Sequence, residues 1–210
     1  MKLKLDLHVH TEKSNDAYTE PGQLVSKVQQ TGLDGVAITD HNILATSLHP
    51  DVFVIPGIEI SSLDGHIIAL AISRAIPRDL PADQTIQEIR DLGGVSIIAH
   101  PYDIFRSAIN PDRLTVMPDA VEVVNSASIF HSLTWKRAVG FAEKNHLPKT
   151  AGSDSHIPET IGKAFTTIEC QSRDIQSVLD AIRKGSTIPN GLPYNFRDRL
   201  RKLTRRKRPS

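Results

Sequence analysis

Short apolar segments alternate with helical patterns along most of this 210-residue chain. The apolar segments are rich in β-branched residues, which is typical of buried strands. Eight such segments predict strands, at 3–9, 35–39, 52–60, 67–72, 95–99, 120–124, 149–151 and 164–168. Four helices are predicted among them, at 21–31, 84–92, 133–145 and 175–184. Because strands separated by helices of this length suit parallel crossovers, the pattern predicts an α/β fold.

The first predicted strand is not followed by a glycine-rich loop of the dinucleotide-binding kind, so a barrel is favoured over an open Rossmann sheet. In a parallel barrel the loops after the strands converge at one end, where the active site forms. The chain length fits one domain. We therefore expect a single-domain barrel at 1–188 and a basic C-terminal extension at 189–210, partly helical and then frayed.

Composition narrows the function. The formal net charge of +1 gives the whole chain no field that argues for a polyanionic partner. Cys170 is the only cysteine, which excludes a disulfide framework and thiolate metal chemistry and fits a reducing compartment. The N-terminal residues contain no long apolar stretch, so we expect no membrane association and a cytoplasmic location. No pattern fixes the oligomeric state.

Polar side chains follow five of the predicted strands. His8 and His10 are two residues apart in a strand, so they point to the same face and can bind one ion. Burying such groups unpaired costs roughly 2–7 kcal/mol. A single histidine of this kind is more often a core or surface residue, but recurrence at five strand ends indicates a metal centre. The other four are Thr39-Asp40-His41, Pro56-Gly57-Ile58-Glu59, Ala99-His100-Pro101 and Gly152-Ser153-Asp154-Ser155-His156.

Imidazole and carboxylate ligands without cysteine suit Mn, Zn or Fe. The number of such groups indicates two or three divalent ions. A pair of ions about 3.5–4 Å apart is the usual arrangement for phosphoryl transfer. We predict that Glu59 bridges the ions, because it offers two oxygens at a central strand without an adjacent histidine.

Together with Asp6-Leu7-His8-Val9-His10-Thr11, these motifs resemble the polymerase and histidinol phosphatase (PHP) family, over residues 1 to about 185. The resemblance implies a distorted (β/α)7 TIM-like barrel and hydrolysis of phosphate esters by a metal-activated hydroxide. It assigns the first metal to His8, His10, Glu59 and Asp154, the second to Glu59 and His100, and the third to Asp16, His41 and His156. Asp40 and Glu59 are the candidate catalytic residues, with Asp40 orienting His41 or carrying protons.

The family pattern is matched poorly at the strand that ends in Asn125. Asn125 or His131 therefore completes the second metal site or touches substrate, although His131 equally suits a helix cap. His66, after a hairpin signal, either approaches the metals or begins a strand. Two further histidines, His49 and His146, are expected at the surface.

A phosphate substrate also needs cations. Arg106, Arg137 and Lys163 are the candidates, with surface solvation as the alternative for each. The basic tail at 197–208 is either a solvated extension or an arm that holds nucleic acid.

The predicted function is hydrolysis of small phosphomonoesters. One alternative is a nuclease or nucleotide phosphatase with nucleic acid held by the tail. The other is a non-catalytic, metal-stabilised binding module.

Overall fold

The computed structural model describes residues 1–46 and 51–205. His49 and the last basic residues, Arg206, Lys207 and Arg208, lie outside this range. The described residues form nine strands and five α-helices. The strands are β1 (Lys2–Val9), β2 (Gly35–Ile38), β3 (Phe53–Ser62), β4 (Gly65–Leu70), β5 (Val95–Ile98), β6 (Ala120–Asn125), β7 (Lys149–Gly152), β8 (Ala164–Glu169) and β9 (Thr187–Gly191). The helices are α1 (Pro21–Thr31), α2 (Ala82–Asp91), α3 (His131–Lys144), α4 (Ile175–Arg183) and α5 (Phe196–Thr204).

The strands form one sheet in the order β7-β6-β5-β4-β3-β2-β1-β8-β9. β7 also lies beside β8 and β9, so the sheet curves into a nearly closed barrel. Thr166 bridges the seam, since its hydroxyl accepts from Ala151 N at 2.8 Å and donates to Ala151 O at 2.9 Å. The predicted single-domain α/β barrel is confirmed.

The barrel is distorted because its pairing is mixed. β1, β2 and β3 pair in parallel, as do β5, β6 and β7. β4 is antiparallel to both of its neighbours, and β8 is antiparallel to both β1 and β9. Only Leu63 and Asp64 separate β3 from β4, which is too short for a parallel crossover and forms a hairpin instead. Gly65 enters β4 with φ of 135°, a conformation that favours glycine.

Strand β9 was not expected from the sequence, because Pro189 and Asn190 indicate a loop. It pairs with β8 alone, and proline is tolerated on such an edge strand. The sheet therefore runs to Gly191, past the expected boundary at 188. Helix α5 follows, with a capping box in which Asn195 Oδ1 accepts from Asp198 N and Asp198 Oδ2 accepts from Asn195 N, both at 3.0 Å.

The apolar core fills the end of the barrel at which the parallel strands begin. Helix α4 packs against β5 and β8 and so closes this end. Asp174 caps α4 by accepting from Ser177 N at 2.8 Å. Polar groups occupy the opposite end, where those strands finish. No helix within the described residues is long and apolar enough to cross a membrane. The buried cluster includes Leu3, Leu5, Ile55, Ile97, Val178 and Ile182.

Candidate metal centre

His8, His10, Glu59 and Asp154 converge at the carboxyl end of the barrel strands. His8 Nε2 lies 3.3 Å from Glu59 Oε1 and 3.7 Å from Asp154 Oδ1. His10 Nε2 lies 3.3 Å from Glu59 Oε2 and 3.5 Å from Asp154 Oδ1. None of the four side chains is more than 1% exposed.

One atom of each of these side chains has no hydrogen-bond partner among the described residues. Buried polar atoms are rarely left unpaired, because the lost hydration costs free energy. A divalent ion among four such atoms would satisfy all of them, so the donor set fits a metal. The atoms are His8 Nε2, His10 Nε2, Glu59 Oε2 and Asp154 Oδ1.

Glu59 lies at the centre of the cluster. Its Oε1 is 3.0 Å from His66 Nδ1 and 3.1 Å from His100 Nε2, while its Oε2 is 2.9 Å from His41 Nδ1. Burial would raise the pKa of the Glu59 carboxyl, but the His8 and His66 rings outweigh it and hold that pKa well below its usual value. Both oxygens are therefore available to ligands on two sides, as a bridging carboxylate requires.

A third group forms at the more open side of the cluster. Asp16 Oδ2 lies 3.0 Å from His156 Nε2, and Asp16 Oδ1 lies 3.8 Å from His41 Nε2. Ring nitrogens of His10, His41 and His156 all lie within 4.8 Å of one another. Burial, with the nearby His10 ring, lowers the pKa of His156 to about 4. Its ring is therefore neutral at neutral pH, which is the form that binds metals.

Asp154 is held from its far side. Its Oδ2 is 2.6 Å from Arg106 Nη2 and accepts from Asn125 Nδ2 at 3.1 Å, which leaves Oδ1 facing the imidazoles. The Asn125 oxygen accepts from Ala127 N at 2.9 Å, so both ends of this amide are engaged and it positions Asp154. The φ angles of Asp154 and His100 are 53° and 29°, which is strained backbone of the kind found at functional sites.

Glu122, in β6, was missed by sequence reasoning. Its Oε1 lies 3.0 Å from His8 Nδ1, and its Oε2 accepts from His100 N at 2.7 Å and from Asn125 Nδ2 at 2.9 Å. A carboxylate on Nδ1 fixes the ring and its tautomer, leaving Nε2 for a metal. A Cβ at Gly152 would lie 2.4 Å from His8 Cβ and 2.7 Å from Glu122 Oε1, so this approach needs glycine. The available signal was a glutamate inside an apolar strand.

Asp40 supports the cluster indirectly. It accepts from Thr11 N at 2.7 Å, Thr11 Oγ1 at 2.6 Å and Ser14 Oγ at 2.7 Å. Ser14 Oγ also lies 3.1 Å from His10 Nδ1 and accepts from His41 N at 3.1 Å. Because Asp40 is fully buried and engaged by these bonds, the structure places it as a positioning residue for His10. Ser14 also links Asp40 to the backbone N–H of His41, and the roles expected of Asp40 in orienting His41 and carrying protons stay predictions.

The three residues predicted to bind phosphate lie in different parts of the structure. Arg106 reaches the cluster through Asp154. The Arg137 guanidinium lies over the Tyr102 ring, 4.0 Å from its centroid, and Lys163 Nζ lies 3.0 Å from Asp198 Oδ2. Arg137 and Lys163 therefore have structural partners outside the cluster.

The remaining histidines do not all join the cluster. His66 joins the cluster through Glu59. His131 is the first residue of α3 and lines a small cavity with His100; its Nε2 is buried without a partner among the described residues. His146 is exposed.

Helix α5 lies at the mouth of the cluster. The Tyr194 hydroxyl, just before the helix, donates to Ser153 O at 2.7 Å, and the Tyr194 N–H donates to Ser126 O at 2.7 Å. One turn into the helix, Arg199 donates to Ser128 O at 3.0 Å. The segment through 205 is therefore docked on the loops after β6 and β7. Helix α5 agrees with the partly helical extension expected, and the part expected to fray lies beyond the described residues.

Comparisons with known proteins agree with this architecture. A family model described as PHP-associated matches residues 135–187. The uncharacterized protein MJ1587 of Methanocaldococcus jannaschii is 32% identical over 141 residues, which cover 59% of this chain and 82% of that protein. The chain belongs to the PHP family.

Two solved structures share the fold. One is a two-domain Bacteroides vulgatus protein described as containing a predicted PHP-like metal-dependent phosphoesterase, with a TM-score of 0.71, 20% identity and coverage of 91% of this chain and 65% of that one. The other is the lesion-specific endonuclease PfuEndoQ of Pyrococcus furiosus, with a TM-score of 0.70, 15% identity and coverage of 91% and 59%. This chain thus spans less than two thirds of either protein.

Proposed function

We propose that this chain is a metal-dependent phosphoesterase acting on small phosphomonoesters. The observation that carries the proposal is the set of four buried atoms on His8, His10, Glu59 and Asp154 that have no hydrogen-bond partner among the described residues. Membership of the PHP family supports the same chemistry.

The proposed metal sites follow the three groups of side chains. His8, His10, Glu59 and Asp154 would hold one ion, and His66 is the side chain best placed to join Glu59 and His100 at a second. Asp16, His41 and His156 would hold a third. Bound divalent ions supply Lewis-acid stabilisation of the charge that develops on a phosphoryl group.

The protein's own groups position these ligands and the substrate. Glu122 fixes the His8 ring, and Ser14 with Asp40 fixes His10. The Arg106 guanidinium, 21% exposed beside Asp154, would bind a phosphoryl oxygen, since guanidinium groups bind phosphate strongly.

The shape of the mouth favours a small or terminal phosphate. Helix α5 narrows the approach, since Tyr194 contacts the backbone of Ser153 and Asp154 at 2.7 and 3.1 Å. A long polymer would have to displace this segment to bring an internal diester to the cluster.

The test is hydrolysis of a panel of phosphomonoesters, phosphodiesters and short oligonucleotides by Mn- and Zn-loaded protein. Phosphate release reports on the monoesters, and chromatography of the cleaved products reports on the diesters and oligonucleotides. We expect turnover of monoesters, lost in a His8→Ala, His10→Ala variant. No turnover of any substrate with any metal would contradict the proposal and favour a metal-stabilised binding module.

A nuclease or nucleotide phosphatase is the second candidate, favoured by the exposed arginines that α5 carries beside the mouth. Arg197 and Arg201 on this helix are exposed and would meet the phosphates of a bound strand. Replacing both by serine should reduce oligonucleotide turnover and spare small esters if this candidate holds. Truncation after Pro193 is a poorer test, because it also removes Tyr194 from the strand ends.

A further inference from the structure

Helix α5 holds a lysine beside the third group of predicted ligands. Lys202 Nζ lies 3.4 Å from Asp16 Oδ2. The same oxygen is 3.0 Å from His156 Nε2, and His41 Nε2 lies 3.8 Å from the other oxygen. The Lys202 ammonium therefore shares the only carboxylate of this group.

The position of Lys202 is set by the docking of the helix. Asp198, one turn earlier, is buried and lies 3.0 Å from Lys163. Arg205, one turn later, lies 2.6 Å from Glu159. Residues three or four apart share a helix face, so these contacts direct Lys202 towards the barrel mouth.

The charges of the first and third groups differ. Glu59 and Asp154 both face His8 and His10 in the first group, whereas Asp16 is the one carboxylate of the third. An ammonium near that carboxylate repels a divalent ion and competes for the same oxygen. A third ion is therefore disfavoured relative to the first.

We propose that Lys202 sets the number of ions the chain holds. By sharing Asp16, it weakens the third position, so that two ions bind tightly and a third binds only at higher free metal. The C-terminal helix thereby controls the metal content of the centre. This inference rests on the metal centre of the proposed function but does not require hydrolysis.

The test is equilibrium dialysis of the full chain against buffered Mn²⁺, without substrate, followed by metal analysis. Lys202→Met should bind the third ion about tenfold more tightly than the wild type, the scale expected for removing one partly exposed charge near a divalent ion. Lys202→Arg keeps the charge and should match the wild type. Arg201→Met removes an exposed neighbouring charge and is the matched control.

Two results would overturn the inference. One is a third-ion affinity in Lys202→Met equal to that of the wild type, including the case in which neither binds a third ion. The other is an equal gain in Arg201→Met, which would indicate net charge alone. The gain should shrink when Asp16→Asn is added, because the competition for the shared oxygen is then lost and only the direct repulsion remains. A wild type that binds ions as expected but hydrolyses no ester would defeat the proposed function and leave this inference standing.

Discussion

The two buried ends of the barrel differ in the kind of side chain they bury, apolar at one end and ionisable at the other. At the end closed by α4, side chains such as Leu5 and Ile55 are fully buried and apolar, so burial itself stabilises them. At the open end, His8 and Glu59 are equally buried but present atoms with no hydrogen-bond partner among the described residues. The first region accounts for folding, whereas the donor atoms of the second fit a divalent ion. Natural proteins depart from folding rules in this way at functional sites.

The largest expected effect is a loss of activity when a predicted metal ligand at the open end of the barrel is removed. His8→Ala removes a ligand between Glu59 and Asp154 and should lower kcat/KM for a phosphomonoester by about a thousandfold or more, the scale reached when a central catalytic interaction is lost. His146→Ala, at an exposed position, is the matched control and should retain full activity. Comparable activity in the two variants would place the reaction elsewhere.

A substitution that leaves a cavity in the apolar region should lower the stability of the fold. Ile97 is 1% exposed, and Ile97→Ala should lower the free energy of unfolding by about 2–5 kcal/mol, the cost of a buried cavity. Ile188→Ala, at a 59% exposed position, should change it by less than about 0.5 kcal/mol. Urea unfolding of both variants measures the difference. Equal losses would show that the closed end is not the stabilising core.

A smaller effect, on metal affinity, is expected when a residue that holds a ligand in position is changed. Glu122→Gln keeps the shape but weakens the hold on His8, and should lower Mn²⁺ affinity about 10- to 100-fold, as for other groups behind metal-bound histidines. Glu143→Gln, whose carboxylate is 62% exposed and paired with Lys149, is the control and should not alter affinity. Calorimetric titration with Mn²⁺ distinguishes them. Unchanged affinity in Glu122→Gln would show that Glu122 does not support metal binding.

The smallest expected effect concerns substrate binding. Arg106→Ala should raise KM about tenfold, because a charge-assisted contact to phosphate is lost, with a smaller change in kcat. Arg137→Ala loses its contact with the Tyr102 ring and should leave KM unchanged. Initial rates over a range of monoester concentrations test this pair. An equal rise in KM for both would show that Arg106 has no special place at the mouth.

The sequence predicted the fold well where local signals were strong. The eight strands it indicated are present, and the alternation of strands and helices led to the correct barrel class. It did not predict the antiparallel pairing of β4, since pairing depends on contacts between distant residues. It also did not predict β9, because Pro189 obscured a strand that needs only one neighbour.

Prediction of the site differed in the same way. Ligand types at strand ends were visible, and the structure brings His8, His10, Glu59, His100 and Asp154 together. The sequence did not predict which residues hold the ligands in position, because those contacts form only when distant parts of the chain fold together. Glu122 meets His8 only through the space left by Gly152, and Asp40 reaches His10 only through Ser14. The docking of α5, set by contacts between sequence-distant residues such as Asp198 and Lys163, was equally hidden.

The most direct test of the central claim is phosphate release from a small monoester by chelator-stripped protein, before and after Mn²⁺ or Zn²⁺ is restored, with bound metal measured at each step. We expect no turnover without metal, at least two ions per chain on restoration, and recovered turnover. Turnover that persists in the stripped protein, or a chain that binds no ion, would contradict it.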